Sequence, residues 1–265
     1  MNFYIDTEFH EYHKQPKCLG INVGKPIPTI DLISIGIISD TGESYYAVSK
    51  DFNIEDAWNS WQPKTDGYSF KYGHKIPKFA KEYWLRNNVL RPIFIDMYNI
   101  KYGISIQKLI SNSEFNLRNF KQFIKKYGKT NKQIADEIYK FIYKNTYKSS
   151  SMPNLIKENG TNKPFHPQFY GYYSDYDWVV FAQLYGKMMN LPKGYPMFCM
   201  DLRQILQEKY DNKNKEYKEK YSYNDWIKNL KKNHNYPKQK DNEEHNAWND
   251  ALWNLKLHNF IINHL

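Results

Sequence analysis

Residues 1–12, MNFYIDTEFHEY, decide how the rest of the chain is read. Phe3, Tyr4, Ile5, Thr7 and Phe9 are aromatic or β-branched and predict a pleated, half-buried strand. Asp6 and Glu8 interrupt that run two residues apart. Strand side chains alternate faces, so both carboxylates point the same way. Two acids side by side against an apolar layer repel each other and lose hydration. A divalent cation removes both penalties, and oxygen ligands suit a hard ion such as Mg²⁺ or Mn²⁺. The pair also fits a solvated strand end balanced by a lysine. These residues alone leave both readings open.

Working outward, TIDLISIGIISDTGESYYAVSK (residues 29–50) reads as a hairpin. Ile33, Ile35 and Ile37 mark one strand, Asp40, Thr41 and Gly42 the turn, and Tyr45–Val48 the return. With the first strand these predict an antiparallel meander. Residues from about 54 to 148 read as mainly helical. In KFAKEYWLRNNVLRPI, Phe79, Tyr83, Val89 and Leu90 recur near a period of 3.6 before Pro92 stops the helix. NKQIADEIYKFIYKNTY repeats the pattern with Ile134, Ile138, Phe141 and Ile142. The stretch Ser149 to Pro164 reads as a loop.

PQFYGYYSDYDWVVFAQLYGKMMNLPKG predicts a short strand through Phe169 and Tyr170, then a helix capped by Ser174 or Asp175 and ending near Gly186 or Asn190. YPMFCMDL is a further short strand and DLRQILQEKY opens a helix. Residues 209–240 are rich in Lys, Asn and Tyr with little periodicity. The last element, EEHNAWNDALWNLKLHNFIINHL, is an amphipathic helix with Ala247, Ala251, Leu252, Leu255 and Phe260 on or near one face. The order predicts a mixed α/β sheet flanked by helices, and no internal repeat interrupts it.

Bulk properties bound the function. The chain has 265 residues, of which 41% are hydrophobic, enough for a sizeable core. Its 38 Lys and Arg against 28 Asp and Glu give a formal charge of +10, which favours nucleic acid first and anionic membrane second. An Asn/Lys/Tyr/Ile-rich composition explains the same surplus without a partner. Two cysteines, Cys18 and Cys199, make no disulfide framework and imply a reducing compartment. The first residues lack a basic region followed by an apolar one, and no apolar run reaches the ~18 residues of a membrane span. A soluble, cytoplasmic protein is expected.

Two further stretches bear on the acid pair. In YYSDYDWVVF, Asp177 falls in the first turn of a helix directly after a strand, where an acid also complements the helix dipole. Asp175 has an equally ordinary explanation as a cap. In EEHNAWNDALWN, His245 precedes Asp250 by five residues at the start of the last helix. Ala247 and Ala251 flank Asp250 on that helix, and such small residues let the turn approach a sheet closely.

The ordered set D-x-E, Asp after a later strand, then H-x₄-D resembles the DEDDh 3′→5′ exonucleases, the ribonuclease T-like group on a ribonuclease H-like fold. More narrowly, FYIDTEF, TIDLISIGII, YYAVS, YDWVVFAQLYGKMMNLPKGYPMF and EHNAWNDALWN resemble a small bacterial and phage subfamily of 3′→5′ exoribonucleases. The resemblance covers roughly residues 1–50, 77–92, 132–145, 165–208 and 243–258, within a single exonuclease domain over 1–265. Residues of about 93–130 and 209–240 fall outside it as helical and Lys-rich insertions.

The resemblance implies a metal-dependent exoribonuclease that releases nucleoside 5′-monophosphates from RNA 3′ ends. Asp6, Glu8, Asp177 and Asp250 would bind two divalent cations, Mg²⁺ or Mn²⁺, with Asp6 bridging them, and Asp175 is the less favoured ligand. His245 would be the general base. Phe9 is a candidate to pack against the terminal base, or else a core phenylalanine on the strand face opposite Asp6. Tyr172, Tyr173 and Tyr176 crowd Asp177 and are candidates to line the groove. A DNA exonuclease of the same fold and a non-catalytic RNA-binding module are the alternatives. A homodimer is a further expectation of the resemblance.

Other signals are weaker. The Lys- and Tyr-rich insertion has the composition of a phosphate-gripping, base-stacking surface, and equally that of a solvated loop. His10, Glu11, Tyr12 and His13 lack the H-E-x-x-H spacing of a zinc site. Asp31 and Asp201 receive no catalytic role. No P-loop, dinucleotide fingerprint or G-x-S-x-G elbow is present.

Overall fold

The computed structural model describes the chain except residues 72–73, 103–112, 150–156, 159–160, 163–165, 218–221 and 241–243. By contact it divides into two units, one of residues 10–31 and 50–128, the other of residues 1–9, 32–49 and 129–265.

The opening stretch is the strand its residues predict. β1 (Asn2–Lys14) lies mid-sheet, with β2 (Ile27–Ser39) and β3 (Ser44–Val48) on one side and β4 (Gln168–Gly171) and β5 (Met200–Asp201) on the other. The order is β5-β4-β1-β2-β3. β4 runs parallel to β1, pairing Phe3 with Phe169 and Tyr4 with Tyr170, and β5 runs parallel to β4. β3 returns antiparallel to β2, pairing Ser34 with Val48. Leu32 to Ser39 are all buried, as the near-continuous apolar run of a strand covered on both faces demands.

The smaller unit contains α1 (Ile54–Asn59), α2 (Arg91–Tyr102) and α3 (Leu117–Tyr127). Trp58, Phe94, Phe115 and Phe120 form its aromatic core, with ring centroids 4.7 Å apart for Trp58 and Phe115. The expected helical run is interrupted here. Gln62–Lys71 and His74–Glu82 form an antiparallel hairpin with a register shift between Thr65 and Tyr68, where Gly67 takes φ 76°. Phe79 therefore belongs to a strand, while Val89 and Leu90 belong to a helical turn, so their apparent 3.6 spacing crosses an element boundary. Pro92 does not end the helix either. A π-turn over Arg86–Leu90 runs straight into α2, so Pro92 lies within continuous helical backbone, directly after the π-turn that locally rearranges the hydrogen-bond ladder.

The larger unit adds α4 (Asn131–Ser149), α5 (Asp175–Gln183), α6 (Leu202–Tyr217), α7 (Tyr223–Leu230) and α8 (Ala247–His264). The stretch expected to lack periodicity carries α7, begun by Ser222 accepting from the Asp225 N–H. Tyr223, Trp226, Ile227 and Leu230, spaced for one helix face, pack against a cluster of Leu202, Leu206, Tyr236, Leu257 and Phe260. Most of the expected 149–164 loop, and residues 218–221 of the Lys-rich stretch, lie outside the described residues. A mixed five-stranded sheet with helices on it is a ribonuclease H-like α/β architecture. Among the described residues no helix is long and apolar enough to cross a membrane.

Candidate active site

Parallel pairing of β1 with β4 brings the two chain exits to one end of the sheet, the position where open α/β sheets place their sites. Asp6 and Glu8 follow the paired residue Tyr4 on its own face of β1. Asp177 lies in the first turn of α5 just beyond β4, and Asp250 in the first turn of α8.

α8 reaches the sheet because nothing stands between them. Ala247 and Ala251 are fully buried, and a Cβ on Gly36 of β2 would meet the Ala247 carbonyl oxygen at 2.0 Å. Asn246 caps the helix by accepting from the Trp248 and Asn249 N–H groups. One turn beyond Asp250, buried Asn254 donates through Nδ2 to the Ile5 carbonyl at 2.9 Å, tying the helix to the strand beside Asp6. Further along, His258 Nδ1 lies 2.8 Å from the Tyr4 hydroxyl and its ring stacks on Tyr170 at 4.2 Å. Burial pushes the His258 imidazolium down and the Tyr4 hydroxyl up, so a neutral imidazole accepts the tyrosine's hydrogen bond. Asn254 and His258 occupy the buried face of α8, while Leu252 and Leu255, expected there, are only partly buried.

Asp6, Glu8 and Asp250 converge. Each offers a carboxylate oxygen, and these three lie within 4.8 Å of one another. All three titrate above the ordinary carboxylate range. For Asp6 the first cause is burial, followed by Asp177, Asp250 and Glu8; for Glu8 it is burial, then Asp250 and Asp177. Asp250 is raised by burial against four opposing effects: the Gln239 amide, the His245 side chain, and the Asn246 and His245 N–H groups. The Asn246 N–H reaches Asp250 Oδ2 at 3.2 Å, and the Gln239 amide donates to Oδ1. Three crowded carboxylates that resist ionisation are a donor set that could hold a hard divalent cation.

Asp177 is held differently. Its Oδ1 accepts from the Thr7 N–H at 2.8 Å and from Thr7 Oγ1 at 2.6 Å. Burial pushes it up to about 6 in spite of those two bonds. Thr7, the middle residue of D-x-E, thus fastens α5 to β1 between the two strand acids. No local pattern marks it, because its partner lies 170 residues away. The turn into α5 puts Tyr173 at φ 55°, and Asp201 anchors it by accepting from the Tyr173, Ser174 and Arg203 N–H groups at 3.3, 3.3 and 2.6 Å. Asp201 is therefore an architectural acid, and Asp175 is exposed on the outside of the same turn.

His245 precedes α8 in a left-handed conformation with φ 61° and is partly exposed, its backbone N–H directed to Asp250. Phe9 is not a core residue. It is half-buried, with its ring stacked on Tyr176 at 5.8 Å and 23°, and Tyr176 is 54% exposed. Tyr172 stands edge-on to both Tyr173 and Trp253.

No family model matches the chain. Two curated proteins from two strains of Mycobacterium tuberculosis, each named a 3′-5′ exoribonuclease, are 23% identical to it over 212 residues, covering 79% of this chain and 76% of theirs.

Proposed function

We propose that the chain is a metal-dependent 3′→5′ exoribonuclease of the DEDDh kind, one catalytic domain with insertions at about 93–130 and 209–240. The observation that carries this reading is the convergence of Asp6, Glu8 and Asp250, with Asp177 fastened to the same strand through Thr7. The names of the mycobacterial relatives support the choice of RNA and of the 3′ end.

In this reading Asp6, Glu8, Asp177 and Asp250 hold two divalent cations, Mg²⁺ or Mn²⁺. Bound there, the ions supply the positive charge that stabilises a phosphodiester under attack. The chain's own part is positioning and proton transfer. Thr7 orients Asp177, and the Asn246 N–H and Gln239 orient Asp250. His245, on its exposed turn, takes the proton of the attacking water, a role suited to imidazole at neutral pH. Phe9 and Tyr176 present a partly exposed aromatic pair beside the acids, able to hold a terminal base without sequence preference. The products are nucleoside 5′-monophosphates.

Matched single-stranded RNA and DNA labelled at the 5′ end test the reading. A ladder shortening from the 3′ end of RNA, dependent on Mg²⁺ or Mn²⁺, is expected. A ladder from DNA alone would reassign the substrate, and RNA binding without any mononucleotide release would make the protein a binding module.

A further inference from the structure

None of the described side chains of the hairpin Gln62–Lys71 and His74–Glu82 is buried. His74 to Lys81 are exposed without exception. Two-stranded ribbons of this kind are marginal in water unless one face packs on something. Here the large side chains stay in solvent: Phe79 is 63% exposed, Tyr68 54% and Trp61 51%. The register pairs Thr65 with Phe79, Tyr68 with Pro77 and Pro63 with Lys81, and cross-strand partners share a face. Lys75, Phe79 and Lys81 therefore project on the same side as Tyr68. The Lys75 ammonium lies 4.0 Å from the centre of the Tyr68 ring, and the Lys81 ammonium 4.6 Å from that of Trp61. The result is a solvent-facing stripe in which an ammonium group lies over a ring at each end, with Phe79 between the two pairs.

Charge selects the occupant. From 62 to 82 the ribbon has Lys64, Lys71, Lys75, Lys78 and Lys81 against Asp66 and Glu82, and Glu82 is already paired with Lys64 at 2.6 Å. A second copy of this ribbon would be repelled by the same charges, and Pro63, Pro77 and the bulge at Gly67 blunt its edges against strand pairing. Elements that lie on anionic membranes segregate apolar and basic residues to opposite faces. This ribbon interleaves them on one face, at a strand repeat of ~6.7 Å for every second residue. A face that carries both rings and cations offers stacking surfaces to bases and positive charge to phosphates.

We propose that this hairpin is a binding arm for single-stranded nucleic acid. Its rings stack on unpaired bases, and Lys75 and Lys81 neutralise the neighbouring phosphates. The assignment stands on the ribbon alone and does not require hydrolysis.

The test is fluorescence anisotropy of a labelled RNA 20-mer with the full chain in EDTA, where no divalent ion supports turnover. Tyr68→Ala and Phe79→Ala are each expected to weaken binding about tenfold, as lost base stacking does. The K75A/K81A double variant should flatten the log-affinity against log-salt slope by about 1.4. Circular dichroism should be unchanged for all three, because the side chains are exposed. Affinity and slope equal to wild type in every variant would overturn the proposal. So would binding to vesicles containing phosphatidylserine but to no oligonucleotide. Hydrolysis of thymidine 5′-monophosphate p-nitrophenyl ester, too short to reach an arm, separates the two readings. An arm without nuclease activity leaves that reaction absent while RNA binding remains sensitive to the hairpin. A nuclease without an arm leaves both ester and RNA turnover untouched by the hairpin variants.

Discussion

Two strands of this protein break the usual rule of apolar inside and polar outside, and they break it in opposite directions. β1 carries Asp6 and Glu8 into a crowded, charge-starved end of the sheet. The strand His74–Glu82 carries Phe79 and every other residue except Glu82 out into water on a lysine-rich ribbon. Each departure forgoes stability: buried carboxylates crowded against one another in one case, an unburied aromatic worth about 1.5–3 kcal/mol in the other. Position decides what each departure is for. At the sheet's end, helix termini, Thr7 and Asn254 converge on the acids and fix them. On the ribbon, Tyr68 and Trp61 meet lysine ammonium groups while Phe79 stays 63% exposed, and a bound partner would recover the loss.

The largest effect expected from breaking this contrast is at the acids. Asp6→Ala or Asp250→Ala should drop RNA hydrolysis to background in a 3′-end assay. The same variants should melt higher than wild type in EDTA, because each removes a buried, repelled carboxylate. His245→Ala should slow the chemical step about 10²–10⁴-fold under single-turnover conditions. A near-normal rate there would remove His245 from the mechanism.

Phenylalanines in the two regions sharpen the comparison. Phe169→Ala, at 1% exposure between β1 and α5, should lower unfolding stability by about 3–5 kcal/mol in urea. Phe79→Ala should change it by about 0.5 kcal/mol or less. Gly36→Ala belongs with the first group, since its added carbon collides with backbone of α8 and not with a movable side chain. A smaller effect is expected at Thr7. Thr7→Val deletes the hydroxyl bond to Asp177 and keeps the backbone one, and should lower kcat about tenfold with KM nearly unchanged. Thr7→Ser should recover most of it.

The pH response distinguishes the regions last. Asp6, Glu8, Asp177 and Asp250 all sit above their ordinary range, mainly through burial, with Asp177 at about 6. A carboxyl raised in the fold stabilises it at low pH, and that contribution fades as pH climbs through the folded value. Metal-free Tm should therefore fall as pH climbs from the ordinary carboxylate range through about 6, where Asp177 ionises, and Mg²⁺ should restore it. D6A/D250A should flatten the dependence, and hairpin variants should leave it intact.

Much of this was legible in the residues. Alternation in FYIDTEF, the apolar run of β2 and the small residues flanking Asp250 predicted the sheet, the acid pair and the close helix, because each signal is local and its partner is dictated by topology. The hairpin was not legible: Phe79, Tyr83, Val89 and Leu90 imitate a helical period across a strand-to-helix boundary. Pro77 and Gly67 were the available counter-signals. α7 was hidden by lysines on its exposed side, although Tyr223, Trp226, Ile227 and Leu230 have helical spacing. Thr7, Asn254 and His258 acquire meaning only from partners far along the chain, and no local pattern announces them.

The central claim is that the four carboxylates act together on divalent ions. Anomalous diffraction from crystals soaked in Mn²⁺ tests it most directly. The account predicts manganese peaks within coordination distance of Asp6, Glu8 and Asp250. Peaks confined to other parts of the surface, from crystals of protein that hydrolyses RNA in the same Mn²⁺ buffer, would contradict it.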